Sequence, residues 1–169
     1  ADNSIGITPA GGDIWWANQF TVVDGYDQIT SIQVSFGSGT TTLVVGDAFT
    51  VYVYEDPNDD GNPNDMVLLT SEAGTLTQTP ATNAFEDVAL STPATVSGSF
   101  FVAAIMTHTE TDFPAALDQT TPAVQSWLAG SGTMGGIDPN NVSGTVDIPL
   151  QTPDSAGFAG NFMIRCIGH

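Results

Sequence analysis

Short stretches in which apolar and polar residues alternate recur along this chain and predict β-strands. In residues 29–36, Ile32, Val34 and Phe36 fall on one side, with serine and glutamine between them. A period of two residues is typical of an antiparallel strand with one buried face. Residues 48–54 show the same period, with valine and phenylalanine on one side and threonine and tyrosine on the other. Both stretches are therefore predicted to be half-buried strands.

The remaining pattern predicts an all-β domain. Residues 98–107 carry bulky apolar side chains on both parities, as expected of a central strand buried on both faces. Residues 108–141 lack a strand pattern and predict a long loop with one helical turn near residues 123–128. Other strands are predicted at residues 14–23, 66–70, 84–90, 142–150 and 161–167. Eight or nine short strands with little helix favour an antiparallel β-sandwich, jelly-roll-like if the connections cross between sheets, with a barrel as the alternative.

The first residues predict an arm that precedes the domain. Ile5 and Ile7 fall on one side of a short strand pattern, and Gly11 and Gly12 follow as a hinge. Such an arm can complete its own sheet or add a strand to the sheet of another copy. These four residues are therefore the predicted assembly residues. The predicted organisation is an N-terminal arm that could be exchanged, residues 1–13, and a single β-sandwich domain, residues 14–169.

The charge of the chain excludes several classes of partner. Its 169 residues include 19 acidic ones against a single basic one, Arg165, so the formal net charge is −18. Nucleic acid is excluded as a partner, because phosphate binding needs cationic side chains. The sequence also lacks an apolar run of about eighteen residues, so no membrane insertion is predicted. The one arginine is expected to pair with a carboxylate at a sheet edge.

The most specific chemistry lies in the sequence EDPNDDGNPND, residues 55–65. Asp56, Asn58 and Asp60 stand at the first, third and fifth positions of a calcium-loop pattern, and Gly61 follows at the sixth. The twelfth position holds a valine where that pattern has a bidentate glutamate, so Asp65 is expected to close a shortened loop. The predicted cofactor is Ca²⁺, bound in a β-hairpin, and the alternative is a turn without metal. The predicted ligands are Asp56, Asn58, Asp60, Asn62 and Asp65.

Catalytic patterns are lacking in the sequence. The chain has two histidines, His108 and His169, and neither sits in a Ser-His-Asp or zinc-binding pattern. His108 is expected to be a solvated loop residue, and Cys166 a buried, unreactive thiol. The prediction is a protein that is not an enzyme, and a hydrolase of unfamiliar type is the third hypothesis after the two given below.

Aromatic residues suggest a second kind of site. Exposed rings on a β-sandwich can stack on sugar rings, and Trp15, Tyr52 and Tyr54 are the candidates for such a platform. Trp16 and Trp127 are instead expected to pack in the core. An extracellular polysaccharide is therefore a candidate partner.

Several motifs resemble an extracellular β-sandwich domain that recurs in large secreted proteins of marine and other environmental bacteria. The motifs are Asn18-Gln19-Phe20, the acidic loop at residues 56–65, the segment from Gly98 to Val102, Phe113-Pro114, Ser126-Trp127 and the segment from Asn161 to Arg165. The resemblance implies export and a structural or adhesive role, and it supplies no catalytic residues. The chain begins with alanine, which we interpret as a mature form whose signal peptide has been removed.

The first hypothesis is therefore a secreted, calcium-stabilised structural or adhesive subunit at the cell surface or outside the cell. It would self-associate into a fibre by strand addition through its arm. The second hypothesis is a carbohydrate-binding module that uses exposed tryptophan and tyrosine rings.

Overall fold

The computed structural model is almost entirely β-structure, and it describes residues 3–7, 11–37, 42–80, 83–109, 111–120 and 125–169. The predicted all-β fold is confirmed, but the described residues contain twelve strands where eight or nine were expected. The strands are β1 (Asn3–Ile5), β2 (Gly12–Thr21), β3 (Gln28–Val34), β4 (Ala48–Glu55), β5 (Val67–Thr75), β6 (Glu86–Thr95), β7 (Ser99–His108), β8 (Ala115–Asp118), β9 (Ser126–Ser131), β10 (Ile148–Gln151), β11 (Asn161–Phe162) and β12 (Ile164–Gly168), and the one helix is α1 (Val142–Thr145).

One layer of the sandwich is a six-stranded sheet with the order β10-β9-β2-β7-β4-β5. The second layer consists of two three-stranded sheets, β12-β3-β6 and β1-β8-β11. Their strands pair antiparallel throughout. Consecutive strands often lie in different layers, since β2, β4 and β7 belong to the large sheet while β3, β6 and β8 lie opposite. The predicted jelly-roll-like sandwich, with connections that cross between sheets, is therefore the observed architecture.

The main core lies between the two layers. It collects the inward-facing side chains predicted from the alternation, including Trp16, Val51 and Val53 from the large sheet and Ile32 and Val34 from β3. Strand β7 lies between β2 and β4, so the prediction that residues 98–107 form a central strand is confirmed. Its alanines and phenylalanines are buried on both faces because both faces of the large sheet are covered.

The outer face of the large sheet carries a second, smaller core. Trp15, Tyr52, Tyr54 and Phe101 pack there beneath the segment of residues 132–147, which we call the outer cap. The cap contributes apolar side chains to this second core: Ile137, Val142 and Val146. These aromatic residues alternate along their strands with residues of the main core, as the sequence predicts. The outer cap covers them, so they are not exposed to solvent.

The long loop predicted for residues 108–141 is partly wrong. Two short strands, β8 and β9, lie within it, and Ser126 to Leu128 begin β9 where a helical turn was expected. Residues 123 and 124 of that turn lie outside the described residues, and Gln125 is not helical. Strand β9 contains Gly130, where any side chain would collide with Ile7. Packing against Ile7 therefore favours glycine at position 130, and glycine weakens the strand pattern by which β9 could have been recognised in the sequence.

The N-terminal arm is folded onto its own chain. Strand β1 pairs with β8, with Asn3 opposite Leu117 and Ile5 opposite Ala115. The arm therefore completes a sheet of its own sandwich. The predicted boundary after residue 13 falls inside β2, which begins at Gly12. Within the described ranges, no helix is both long and apolar enough to cross a membrane.

Candidate metal centre

The acidic loop joins two neighbouring strands of the large sheet. Strands β4 and β5 pair from Ala48 opposite Thr75 to Glu55 opposite Val67, and residues 56–66 connect them. The loop is therefore carried by a β-hairpin, as the flanking apolar stretches predict. This places it at the end of the sandwich where β7 begins, because Glu55 also lies opposite Phe100.

The first half of the loop has the hydrogen bonds of a calcium-type turn. The Asp56 carboxylate accepts hydrogen bonds from the backbone N–H groups of Gly61 (2.7 Å) and Asp59 (3.1 Å). Further along, the side-chain oxygens of Asn58 and Asp60 each accept from the N–H two residues later, at 3.2 and 2.8 Å. Gly61 has φ of 75°, which a residue without Cβ adopts at little cost. These bonds fix the side chains of the first, third and fifth positions toward the inside of the turn.

Three carboxylates converge in this turn. Asp56, Asp60 and Asp65 each place an oxygen so that all three lie within 4.8 Å of one another. Asp56 is buried, while Asp60 and Asp65 are exposed. The side-chain N–H₂ of Asn58 donates to Asp60 at 3.1 Å and to Asp65 at 2.8 Å, so it bridges the two exposed carboxylates. The arrangement offers a hard cation three anionic oxygens from one side, and Asn58 can offer its carbonyl oxygen if its amide rotates.

Asp65 takes the place that the sequence assigned to it. It stands two residues before the twelfth position of the loop pattern, yet its carboxylate joins those of Asp56 and Asp60. Asn62 does not join them, because its side-chain oxygen accepts from the backbone N–H of Asn64 at 3.1 Å and from the Asn64 amide at 2.7 Å. In a calcium loop the seventh position, which Asn62 occupies, supplies its backbone carbonyl and not its side chain.

Asp59 fastens the loop to the body of the sandwich. It has φ of 60°, a conformation that aspartate tolerates better than most residues, and its carboxylate accepts the backbone N–H of Ser99 at 2.6 Å. Hydrogen bonds from Ser99 lower the pKa of Asp59. A Cβ at Gly98 would meet this carboxylate at 2.9 Å, so a glycine lets the two segments approach closely. Asp59 therefore has a structural partner and is not part of the carboxylate cluster.

The proposed sugar platform is buried. Trp15 and Tyr54 are 0% exposed and Tyr52 is 8% exposed, because the outer cap covers them. Burial raises the pKa of Tyr52 and of Tyr54, as expected of hydroxyls removed from water. The two tyrosine rings are stacked 6.0 Å apart, yet neither face is open to solvent. The prediction that these three rings form an exposed stacking surface is therefore wrong; the alternation in the sequence cannot show what covers a sheet face.

The four predicted assembly residues pack against the body of their own chain. Ile5 and Ile7 are 7% and 4% exposed and belong to the main core. Gly11 and Gly12 have φ of 74° and 144°, and a Cβ on either would collide with backbone of β7 or β9. The two glycines are thus required by the close approach of the arm to the body. Whether the arm also exchanges between copies stays a prediction.

His108 and Arg165 are placed differently from the sequence predictions. His108 is buried, with Nδ1 2.7 Å from the Thr109 carbonyl oxygen and Nε2 accepting the backbone N–H of Ile7 at 3.0 Å. The Arg165 Nε donates to Gln33 at 2.7 Å, and the guanidinium lies 4.0 Å above the Phe85 ring. Within the described residues no carboxylate pairs with it. Burial raises the pKa of the half-buried Cys166 thiol to about 11, which agrees with an unreactive cysteine.

One residue that holds the structure together was not predicted. Asp13 is 2% exposed, and its carboxylate accepts the Thr107 hydroxyl at 2.6 Å and the backbone N–H groups of Gly135 (3.0 Å) and Ile137 (3.3 Å). It therefore anchors the outer cap to β2. A single aspartate beside a glycine pair resembles a turn residue in the sequence, and nothing local indicates partners more than a hundred positions away.

The chain as a whole resembles known structures only in its fold. No family model matches the chain, and no curated protein matches it. A structure of the clostridial cysteine protease Cwp84 after propeptide cleavage aligns with a TM-score of 0.59 and 14% identity, over 95% of this chain and 37% of that chain.

A second structure comprises the cysteine protease and lectin-like domains of Cwp84, described as a surface layer associated protein of Clostridium difficile. It aligns with the same TM-score and identity, over 93% of this chain and 32% of that chain. This chain therefore spans about a third of the length of these proteins. At 14% identity the similarity establishes a shared β-sandwich fold.

Proposed function

We propose that this chain is an extracellular or cell-surface β-sandwich module with a structural or adhesive role, stabilised by Ca²⁺ in the loop of residues 56–65. It is proposed to be non-catalytic and to belong with the secreted bacterial sandwich domains that its motifs resemble. The observation that carries the proposal is the convergence of Asp56, Asp60 and Asp65 in a turn with calcium-loop hydrogen bonds. The structural relation to a surface layer associated protein supports the location.

The charge of the chain supports a cation at this place. Three carboxylates within 4.8 Å repel one another, and the chain has a single basic side chain, which is engaged with Gln33 and Phe85. A divalent ion would remove this repulsion and accept the oxygen ligands that the turn presents. It would also reduce the net charge of −18 that opposes contact between copies. Calcium would thus favour both the fold and the self-association that we propose for the N-terminal arm.

Calcium removal tests the proposal directly. At a free Ca²⁺ concentration about one hundred times the dissociation constant, linkage stabilises the fold by about 2.7 kcal/mol. For a chain of this size we expect the melting temperature to fall by about 5 to 10 °C when EDTA replaces Ca²⁺. The measurement is a pair of thermal melts on the full chain, together with a calcium isotherm and light scattering to follow self-association.

Two variants make the calcium experiment specific. Asp60→Asn removes one carboxylate, so the calcium response should largely disappear, while in EDTA this variant should melt higher than the wild type because repulsion is relieved. Asp24→Asn removes an exposed charge outside the loop and should keep the full response. Identical melts of the wild-type protein in Ca²⁺ and in EDTA, with no heat in the isotherm, would contradict the proposal.

Carbohydrate binding remains the second proposal, at a different place from the one the sequence suggested. A groove of about 500 Å³ opens between the layers, lined mainly by apolar side chains including Phe20, Phe100 and Tyr26, and Tyr26 is 59% exposed. The lectin-like domains in the Cwp84 structure favour a test on extracellular polysaccharides. Glycan-array binding that is lost in Tyr26→Ala would support it, and an array without signal would reject it.

A further inference from the structure

The buried ring of His108 holds the N-terminal arm through a bond that only the neutral ring can make. The Thr109 carbonyl oxygen can only accept a hydrogen bond, so the Nδ1 atom, 2.7 Å away, must carry a proton. The backbone N–H of Ile7 can only donate, so Nε2, 3.0 Å away, must present its lone pair. The two contacts together specify the neutral Nδ1–H tautomer.

Protonation of His108 is incompatible with this contact. A proton added to Nε2 would point at the N–H of Ile7, which places two donors against each other at 3.0 Å. His108 is 3% exposed, so little of its surface is open to water that could replace the lost bond while the arm stays docked. The repulsion between the two N–H groups can therefore be relieved only if Ile7 moves away from the protonated ring.

The sheet attachment of the arm is short. Strand β1 is three residues long and, among the described residues, pairs with β8 alone. The side chains of Ile5 and Ile7 are buried against the body, with Ile7 against Gly130. A three-residue edge strand offers few backbone hydrogen bonds, so the buried bond between Ile7 and His108 is a substantial addition to those that hold the arm.

We propose that His108 is a proton-operated latch: neutral His108 binds the N-terminal arm, and protonation of the ring in mildly acidic solution releases residues 3–7 from β8. This inference is independent of calcium, because His108 is at the opposite end of β7 from the loop that carries Asp56. Release would free the edge of β8 and the sites of both isoleucines. Those are the sites that the arm of another copy would fill.

Two carboxyl groups lie near the ring on the side of the arm. Among the described residues, Asp47 before β4 and Asp112 in the loop after β7 line a cavity of about 420 Å³ together with His108. Asp13 on β2 is turned to the opposite face of the sheet, where it binds Thr107 and the outer cap. The Asp112 carboxylate accepts the backbone N–H and hydroxyl of Thr109, so it lies beside the carbonyl group to which the ring is bound. A protonated ring that has lost Ile7 would therefore face the carboxyl groups of Asp47 and Asp112 across this cavity.

Amide hydrogen exchange measured at pH 7 and pH 5 tests the latch. The protection factor of the Ile7 amide, which already corrects for the intrinsic pH dependence of exchange, should fall by about tenfold or more at pH 5, the change expected for one lost buried hydrogen bond. Amides of β2 and β7 should keep their protection, which distinguishes release of the arm from global unfolding.

Two variants complete the test. In His108→Gln the side-chain oxygen can still accept from Ile7 but cannot be protonated, so protection should no longer depend on pH. His169→Gln removes the other histidine, which is exposed, and should behave as the wild type. Ring nitrogen shifts in the wild type at pH 7 should show the Nδ1–H tautomer. Equal protection of Ile7 at both pH values in the wild type, or an Nε2–H tautomer, would overturn the proposal.

Discussion

The buried carboxylates of this molecule and those of its acidic loop are neutralised in different ways. Asp112 is 3% exposed and receives four bonds, from the N–H and hydroxyl groups of Thr42 (2.6 and 2.8 Å) and of Thr109 (3.1 and 2.7 Å). Glu86 is buried and accepts the N–H groups of Thr77 and Gln78 and the Thr77 hydroxyl. Each of these acids lies alone among donors of its own chain.

Two of the loop acids, which are exposed, have fewer donors, although Asp56 accepts two backbone N–H groups. Among the described residues, Asp65 is bound by one amide, that of Asn58, which it shares with Asp60. The three loop carboxylates place oxygens within 4.8 Å of one another, whereas Asp112 and Glu86 are each surrounded by N–H and O–H groups. A chain with almost no basic side chains can thus bury an acid by surrounding it with backbone and hydroxyl donors. Where three acids meet, those donors do not suffice, and this difference is why we assign the cation to the loop.

The largest effect is expected from Asp13, because a buried acid with its own donors should matter without any metal. Asp13→Ala leaves the N–H groups of Gly135 and Ile137 without their acceptor and detaches the outer cap. We expect a loss of roughly 3 kcal/mol in the free energy of unfolding, equal in Ca²⁺ and in EDTA. Urea unfolding followed by tryptophan fluorescence measures it, because the cap covers Trp15.

The exposed acid Asp24 provides the matched control for this variant. Asp24→Ala should change the free energy of unfolding by less than about 0.5 kcal/mol, since exposed substitutions usually do. If Asp13→Ala were as mild as Asp24→Ala, the hydrogen bonds of the buried acids would not be the means by which this chain accommodates its charge. If Asp13→Ala lowered the free energy of unfolding only in EDTA, the stability of a buried acid would depend on the metal. The distinction between the buried acids and the loop acids would then be wrong.

A smaller effect, which depends on pH, is expected at Asp112. Burial raises the pKa of this carboxyl, but hydrogen bonds from Thr109 and Thr42 outweigh burial and lower the pKa to about 2. A folded pKa below the usual 3.8 stabilises the fold above that usual value, and the contribution is lost as the pH falls toward 2. We expect about 1 to 2 kcal/mol, after allowance for screening near the surface.

Comparison with Asp112→Asn isolates this contribution. The wild type should be more stable than the variant at pH 5, and the gap should narrow between about pH 4 and pH 2, where the wild-type carboxyl gains its proton. Urea unfolding at several pH values provides the measurement. A gap that stayed constant down to pH 2 would show that the four hydrogen bonds do not stabilise the ionised form.

The sequence predicted the parts of this structure that depend on local pattern. The alternation of Ile32 with Val34 and of Val51 with Val53 specified which faces are buried, because a strand turns successive side chains to opposite sides. The spacing of Asp56, Asp60 and Asp65 was sufficient to find the cluster, because a tight turn brings residues so close in sequence into contact.

The parts that the sequence did not predict depend on contacts between distant residues. Trp15 and Tyr54 were expected on the surface because the outer cap, roughly eighty or more positions away, has no pattern that assigns it to their face. His108 was expected in solvent because its partner Ile7 lies 101 positions earlier in the chain. Strand β8, which lies within the predicted long loop, has only four residues and is too short for its alternation to be recognised.

The smallest effect is expected at Arg165, the one cation that could have served the acids. It lies instead over the Phe85 ring and beside Gln33, so its contribution should come from the ring and not from an ion pair. A double-mutant cycle with Arg165→Gln and Phe85→Leu should give a coupling of about 0.5 to 1 kcal/mol, measured by urea unfolding. A parallel cycle with Arg165→Gln and Asp87→Asn, an exposed acid on β6, which lies beyond β3 in the same sheet, should give a coupling near zero. A large coupling to Asp87 and none to Phe85 would mean that Arg165 forms an ion pair with an acid of its own chain. The argument that the loop carboxylates need a bound cation would then be weaker.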